Sequence, residues 1–563
     1  MNYVKSVEQI PLSDRPVARR NLSNVGNYLG LYGGEHIAAT EFVIGATLVQ
    51  YGCSATDIII GLIIGNILAV LSFTFLCATI ATDTRLTLYS YLGKVFGPTM
   101  QKVYNIVLGV GLSALAAAGI SISGTAIRRV FNVPIQLEWY PTSIKFIVIV
   151  LLIGAVITII ASKGFEAVAK FASTCVPWMM VLFGIGLVVV LPQLLQATGF
   201  GALQSPADFL RLLNTHVWNG VTANGGKQLG IIHVIGFAWV CNLAWHVGLN
   251  DMSILRFAPN YKYGFISAVG MFVGHFGAWI IAGIMGATSS IILNTPLAEL
   301  DPGEVTFALL GYAGLLAVII AGWTTANPTI YRITLSFNAV FPKISQKKLT
   351  YIVGVVITAL ACFPGIQRAA DILTFLGLIV QGVGAICITE HYIFPKIGFT
   401  RYWDLYRNQK ANPAAVIAWV LGIAFTFTMI LGGWMHQNIV FVPAWFITVL
   451  SYILLAGLMG AKGGYSKQEQ AQIRFEKELD DYVNSLHPEQ EAEPKAPRTA
   501  KLLRYTAFVI LAVIVVLGIA CGLGGIALAA FKLWFIVLTL FHFLFNGISM
   551  ALIYRNTASK EVL

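Results

Sequence analysis

The sequence predicts an all-α polytopic membrane protein with about fourteen transmembrane helices, and three observations carry that prediction. Of the 563 residues, 57% are hydrophobic and only 11% are charged, with a mean hydropathy of +0.77. No soluble domain of this length is so poor in charge. The apolar residues gather in windows of roughly 17–25, the helix length that spans a hydrocarbon core about 30 Å thick. Only one long stretch, residues 462–497, is polar throughout.

In order, the windows lie at about 36–51, 57–80, 102–127, 143–162, 173–192, 230–249, 264–290, 305–323, 349–364, 370–393, 413–434, 440–460, 502–526 and 529–553. The first and ninth are short. The first segment, GLYGGEHIAATEFVIGATLVQYG, carries five glycines in twenty-three residues, which suits a broken helix. Glu41 falls near mid-membrane there, where a carboxylate is costly unless it pairs with a cation, coordinates Na⁺ or carries a proton. Its structural alternative is a buried, hydrogen-bonded carboxyl. Glu35 lies nearer the membrane edge.

The sixth segment, His233 to Asn260, begins as apolar as any span. It then carries Gly236, Trp239, Asn242, Trp245, His246 and Gly248, and ends in Asn250, Asp251 and Arg256. Polar groups in hydrocarbon need internal partners, so this segment has to face a cavity, as a transporter's discontinuous helix does. Gly236 to Trp245 is its expected substrate-facing part, and Asp251 to Asn260 its cytoplasmic continuation.

The eighth span ends in AGWTTANPTIYR, residues 321–332. Hydroxyl and carbonyl oxygens are hard ligands that suit Na⁺, and Pro328 is expected to open the helix and expose more carbonyls. Alternatively, Thr324 and Thr325 bond back to their own helix. The tenth span carries Gln381 among glycines and ends at Glu390 and His391, with Glu390 expected at the cytoplasmic interface. His233, His246 and His275 titrate near neutrality when free, but no metal-binding spacing links them.

With the N-terminus placed inside, all of the 36 Lys and Arg except Arg128, Arg129, Lys145, Arg211, Lys227, Arg368 and Lys532 fall on the cytoplasmic side. That bias sets the orientation, with both termini cytoplasmic in the cell membrane. The loop Leu297–Glu304, with three acids and no base, falls outside. Topology also accounts for most of the net charge of +11, so no nucleic-acid partner is implied. The N-terminus lacks the features of a signal peptide. Seven scattered cysteines read as small core residues. Within 462–497, Gln468 to Leu486 can form a charged amphipathic helix, followed by a Pro- and Glu-rich stretch, and the whole reads as a solvated linker. It sets off an appendage of two spans. No P-loop, HExxH, GxSxG or nucleotide fingerprint occurs, so the chain reads as no enzyme, and transport would draw on an ion gradient rather than ATP.

The runs GCSATDIIIGLIIGN (52–66), VFG (95–97), NDMSILRFAPN (250–260), WTTANPTIYR (323–332) and DILTFLGLIVQGVG (371–384) together resemble the nucleobase–cation symport family of purine, cytosine and allantoin permeases. The matches are dispersed in order over about 36–395. The resemblance implies a leucine-transporter-type core of two inverted five-helix repeats over 31–395, behind a cytoplasmic tail at 1–30. Two accessory helices would follow at 396–461, a cytoplasmic polar linker at 462–501, and two further helices with a tail at 502–563. Helices one and six would be broken, with substrate between them near the midplane. It further implies a Na⁺ site from Ala38, Glu41, Ala321, Thr324 and Thr325, with H⁺ as the alternative coupling ion and no cofactor. Substrate candidates are Glu41, Gly236, Trp239, Asn242, Trp245, Asn327 and Gln381.

The sequence also departs from the family. Leu112 and Leu115 stand where helix three often bears polar and aromatic residues, and Ala326 stands where Asn often follows the Thr pair. The expected function is import of a small nitrogen-rich, nucleobase-like substrate with Na⁺ or H⁺ by alternating access. One alternative is a small organic cation, a guanidinium or amine, caged by Glu41, Trp239 and Trp245. Another is a membrane sensor that uses the same core to act through 462–563. The expected partners are a small molecule and the lipid bilayer, and the sequence carries no signal for oligomeric state.

Overall fold

The structure is a computed structural model that describes residues 6–38, 40–222, 228–486 and 497–558. Helices α1 (Val25–His36) and α2 (Thr40–Gln50) form the first crossing. The next four are α3 (Ala55–Thr84), α4 (Gly97–Val130), α5 (Ile144–Ala161) and α6 (Phe165–Thr198). A second split crossing follows as α7 (Ile231–Val240) and α8 (Leu243–His246), then α9 (Tyr261–Leu293), α10 (Tyr312–Val340), α11 (Gln346–Ala361) and α12 (Ala369–Ile388). Beyond them come α13 (Pro413–Leu431), α14 (Phe441–Met459), the polar α15 (Ser466–Ser485), and the last pair, α16 (Arg498–Gly522) and α17 (Leu528–Ala558). Eleven helices among the described residues are long and apolar enough to cross a membrane. The first, sixth and ninth expected crossings fall outside that number. Two are split, and α11 has only 16 residues.

Local chemistry starts these helices where the sequence changes character. Asn24 caps α1 by accepting the Asn27 N–H (3.1 Å), and Ser54 with Asp57 forms a capping box at the start of α3. Two sets of five crossings then repeat the same features. The first crossing of each set is split, and the second carries a stretch of wider helix, Phe73–Ala78 in α3 and Gly270–Ala278 in α9. The fourth of each set, α5 and α11, pack face to face through a reciprocal contact. A methyl on Gly154 would strike Thr358, and one on Gly354 would strike Thr158. Each Thr hydroxyl is turned back onto the carbonyl of the glycine four residues before it, at 2.7 Å. Small residues let the two backbones approach closely, and residue i facing j while j faces i is the mark of a two-fold relation.

Several expectations are corrected. The eighth crossing does not begin at 305. Pro302–Leu310 is a separate helix capped by Asp301, which accepts the Glu304 N–H (2.9 Å), and Gly311 with φ 65° turns the chain into α10. The Thr pair therefore lies mid-helix rather than at an end, and α10 runs on through Pro328 to Val340. What Pro328 removes is the N–H that would reach the Thr324 carbonyl. Arg332, counted above among the cytoplasmic-loop charges, lies within α10 with its side chain fully buried. Glu390 is also buried, accepting the Tyr402 N–H (2.8 Å) and the Tyr452 hydroxyl (3.2 Å), which ties the end of α12 to α14. All seven cysteines are free, and six are buried.

The polar segment is no solvated linker over 466–485. Leu479 and Val483 of α15 pack with Ala18 of the N-terminal tail. Asp480 accepts from Arg85 and from Arg19 (3.2 Å), and Lys94 Nζ meets Glu476 at 2.5 Å. The helix is amphipathic, and its ionic face finds partners on the tail and on the connection between α3 and α4. Residues 487–496, which hold most of the Pro- and Glu-rich stretch, lie outside the described residues. Burial alone would raise the Asp480 carboxyl, but the hydrogen bond and charge of Arg85, with Arg19, hold it below its ordinary value. A carboxyl depressed in the folded state stabilises docking above its unfolded pKa and loses that contribution as pH falls through the folded value, so the contribution is fully present at neutral pH. Asp480→Asn should speed amide exchange across 466–485 at pH 7 and leave the bundle intact, since such partly exposed pairs contribute about 0.2–1 kcal/mol each. Unchanged exchange there would mean that Leu479 and Val483 hold the helix without the charges.

Candidate functional site

The site forms where the two split crossings meet. α1 stops at His36, Ile37 leaves helical geometry (φ −109°, ψ 67°), and α2 resumes at Thr40. α7 stops at Val240, and Asn242 (φ −108°, ψ 20°) turns the chain into the single turn of α8. The wider stretch of α9 lies against the first break. Gly274 brings its backbone so close that a Cβ there would stand 1.8 Å from the His36 carbonyl oxygen.

Between these elements is a cavity of about 30 Å³. It is lined by Glu35, His36, Thr40, Glu41 and Ile44 of the first crossing, Asn242 and Trp245 of the sixth, and His275 of α9. Leu115, Thr325, Thr329 and Leu373 complete it from α4, α10 and α12. About 10–15 Å³ accommodates one water, so this conformation has room for little more than an ion or a water or two. A larger vestibule of about 680 Å³ lies toward the side away from the N-terminus. It meets the other face of α2 at Val43, Ala46, Thr47 and Gln50, and includes Trp139, Asp301, Arg368 and Asp371.

Toward the N-terminal side the cavity is sealed. The Arg332 guanidinium grips both oxygens of Glu35 (2.6 and 2.9 Å) and one oxygen of Asp251 (2.6 Å). The Trp245 indole N–H donates to Glu35 (3.0 Å), and the Tyr32 hydroxyl donates to Asp251 (3.1 Å). A second layer adds Tyr89 to Asn250 (2.7 Å) and Tyr28 to the Ile254 carbonyl (3.0 Å). These bonds join α1, the chain after α8, the α3–α4 connection and α10. Arg suits such a place because its planar fork holds two carboxylates at fixed angles.

Glu41 stands apart from that network. Its carboxylate accepts from the Trp279 indole N–H and from the Thr40 hydroxyl (3.2 Å). The Trp279 ring is in turn stacked on His275, with centroids 4.2 Å apart and planes within 14°.

Of the substrate candidates, Glu41, Asn242 and Trp245 line the cavity. Gly236 instead packs on the Asn438 carbonyl, where a Cβ would come within 2.0 Å. Trp239 donates to Ser72 (3.1 Å) and stands edge-on to Phe441. The turn at Cys241–Asn242 rotates α8 relative to α7, so residues spaced by three across it do not share a face. Asn327 donates to the Trp323 carbonyl (2.9 Å), and both Asn327 and Gln381 are buried off the cavity lining. Of the ion candidates, Ala38 sits at the first break with its carbonyl accepting the Glu41 N–H (3.2 Å). Thr324 and Thr325 both donate to the Ala321 carbonyl (3.0 and 2.9 Å), and Thr325 also lines the cavity.

Sequence reasoning missed Asp251, Arg332, His36 and Trp279. A signal for Arg332 was present. Thr325, Thr329 and Arg332 recur at i, i+4 and i+7, one face of a helix that runs on through Pro328.

No protein-family model and no curated protein sequence matches this chain. Solved structures do. Mhp1, a nucleobase-cation-symport-1 family transporter, in a closed conformation with bromovinylhydantoin bound, superposes with a TM-score of 0.63 at 15% identity. That match covers 84% of this chain and 99% of the other. Inward-facing Mhp1 matches with a TM-score of 0.58 at 14% identity over 82% and 97%. The substrate-bound outward-open state of a Na⁺-coupled sialic acid symporter matches with a TM-score of 0.54 at 15% identity over 80% and 92%. At such identity the likeness is one of fold, and the fold of this chain is that of these symporters: a leucine-transporter-type core of two inverted five-helix repeats.

Proposed function

We propose that the protein is a secondary active symporter of the nucleobase–cation symport type, which imports a small nitrogen-rich compound with an ion by alternating access. The observation that carries this reading is the pair of broken crossings around one cavity, with a vestibule on one side and an ion-paired seal on the other. A site reached from one side at a time is what alternating access requires. The Lys and Arg distribution supports a cell-membrane location with the N-terminal side cytoplasmic. Residues 31–395 form the transport core in this reading. The helices of 396–461 and 502–563 are additions, and 462–501 joins them.

For the coupling ion we assign Na⁺ to the Ala38 and Ala321 carbonyls with the Thr324 and Thr325 hydroxyls. The donors are all hard oxygens, and the Thr324 carbonyl, which lacks its helical N–H, adds a further one. A hydroxyl that donates to a carbonyl keeps its lone pairs for a cation. Glu41, which lines the cavity, is left out of that set and kept for the substrate. Thr325→Ala should weaken Na⁺-dependent ligand binding about tenfold or more, equivalent to ~1.4 kcal/mol. Unaltered Na⁺ dependence would move the ion elsewhere.

The reading as a whole is tested in proteoliposomes with imposed Na⁺ or pH gradients and labelled cytosine, allantoin and guanidine. Gradient-driven accumulation of any of them is the expected result, and the effective gradient names the ion. A ligand that binds but is never accumulated would favour a sensor acting through 462–563.

A further inference from the structure

We propose that the substrate of this site is a small planar organic cation of the guanidinium or amidinium class, with Glu41 as its counter-ion. The inference rests on the symporter reading and names its substrate class.

The first argument is charge. Three carboxyls, each less than a tenth exposed, lie in the site or its seal: Glu35 at 8% and Glu41 at 2% on the lining, and Asp251 at 0% behind it. Glu35 and Asp251 share a single buried guanidinium, Arg332, whose two terminal nitrogens are committed to them. Glu41 is left with two neutral donors, Trp279 and Thr40, and no cationic partner among the described residues. A carboxylate away from water is costly until a positive charge meets it. It is the one acid on the cavity wall whose counter-charge the protein does not supply.

The second argument is the balance of hydrogen-bonding groups. The Thr40 hydroxyl proton is spent on Glu41, Thr325 donates to the Ala321 carbonyl, and Thr329 donates to the Thr325 carbonyl (2.8 Å). The Trp245 N–H is spent on Glu35. His36 Nδ1 faces the Tyr32 carbonyl at 2.9 Å, so it carries the proton and leaves Nε2 as an acceptor. Asn242 Nδ2 is turned to His275 Nδ1 (3.5 Å) and the Met271 sulfur (3.8 Å). That leaves the lining rich in acceptors, with His275 Nε2–H as its remaining ring donor. A neutral nucleobase alternates donors and acceptors and would meet too few donors. A guanidinium or amidinium offers donors only, which is what this wall accepts.

Shape agrees. Where an aromatic platform for a ring would come from α4, the cavity meets Leu115. The closed volume of about 30 Å³ demands less expansion for a four-atom cation than for a heterocycle. One wall already holds such a group: the Arg332 guanidinium lies 5.9 Å from the Trp245 ring centroid and pairs with Glu35. Trp245 stands on the same lining, and an indole is the strongest aromatic partner for a cation.

The test compares probes that differ in charge at nearly constant shape: guanidine with urea, and acetamidine with acetamide, beside cytosine and hydantoin. Binding is read as thermal stabilisation of the purified protein and uptake in proteoliposomes. Guanidine or acetamidine should raise the melting temperature and be accumulated, while urea and acetamide should do neither. Glu41→Gln should weaken the cation's binding at least tenfold, and Glu41→Asp should keep the preference for charge at reduced affinity. The wild-type comparison stands even if both variants fold poorly. Stabilisation by cytosine or hydantoin with both cations inert would overturn the proposal, as would failure of every cation to bind. Gradient-driven uptake of a neutral heterocycle would leave the symporter reading standing while this one falls. A cation that binds selectively but is never accumulated would do the reverse.

Discussion

Arg332→Met should be severely damaging, lowering stability by about 3–5 kcal/mol. The methionine fits the volume but leaves Glu35 and Asp251 buried beside one another without the guanidinium that both grip. The cost comes from the carboxylates left behind, because a buried pair is hard to break from one side and cheap to remove whole. The triple change Arg332→Met, Glu35→Gln, Asp251→Asn should therefore recover much of the loss. Melting temperature in detergent measures both. A triple variant no more stable than the single one would show that volume, not charge, is what Arg332 supplies. The single variant should also loosen the N-terminal seal, since Arg332 is the common partner of α1 and of the chain after α8. A cysteine placed at Tyr32 should then become reactive to a thiol reagent added from that side.

Gly274→Ala should also be severe, with a loss of about 1–3 kcal/mol or more and failure of ligand binding. The added methyl would stand 1.8 Å from the His36 carbonyl oxygen and 2.6 Å from its carbon, and backbone cannot rotate out of the way as a side chain can. His36 is the last residue of α1, so relief of the clash must displace the break that carries Glu35 and His36 to the cavity wall. Gly184 of α6, with nothing within 4 Å of its would-be Cβ, is the control. Alanine there should be neutral or stabilising by about 0.5–1 kcal/mol, as glycine is a poor helix former. Equal effects at the two positions, read by melting temperature and ligand-induced stabilisation, would refute the close-packing account.

Much of this architecture is legible in the chain because hydrocarbon is an exacting solvent. A segment of apolar residues has one economical fate there, and a glycine-rich or polar interruption has to be sheltered by protein. That is why the interruptions at 30–52 and 233–248 point to the two split crossings, and why Glu41, Asn242 and Trp245 could be singled out before their neighbours were known. Helical phase and end points were harder to read. The window closing at 323 hid Arg332 in a loop, because positive charge outside an apolar run has the same composition whether it faces water or two buried acids. In sequence, Gly236 and Trp239 group with Asn242 and Trp245 as the substrate-facing part of a broken sixth helix, but the place of the break, after Val240, separates the two pairs and is set by packing.

The sequence alone determined the solvent this protein lives in, the order of its helices, the places where two of them break, and a carboxylate set deep in the first. Tertiary structure decided which charges cancel. Arg332 meets Glu35 from 297 residues away and Asp251 from 81, while Glu41 keeps two neutral donors and no cationic partner among the described residues. Apolar runs and their breaks are properties of neighbouring residues. A counter-charge is a property of distance in space, and only packing could supply it.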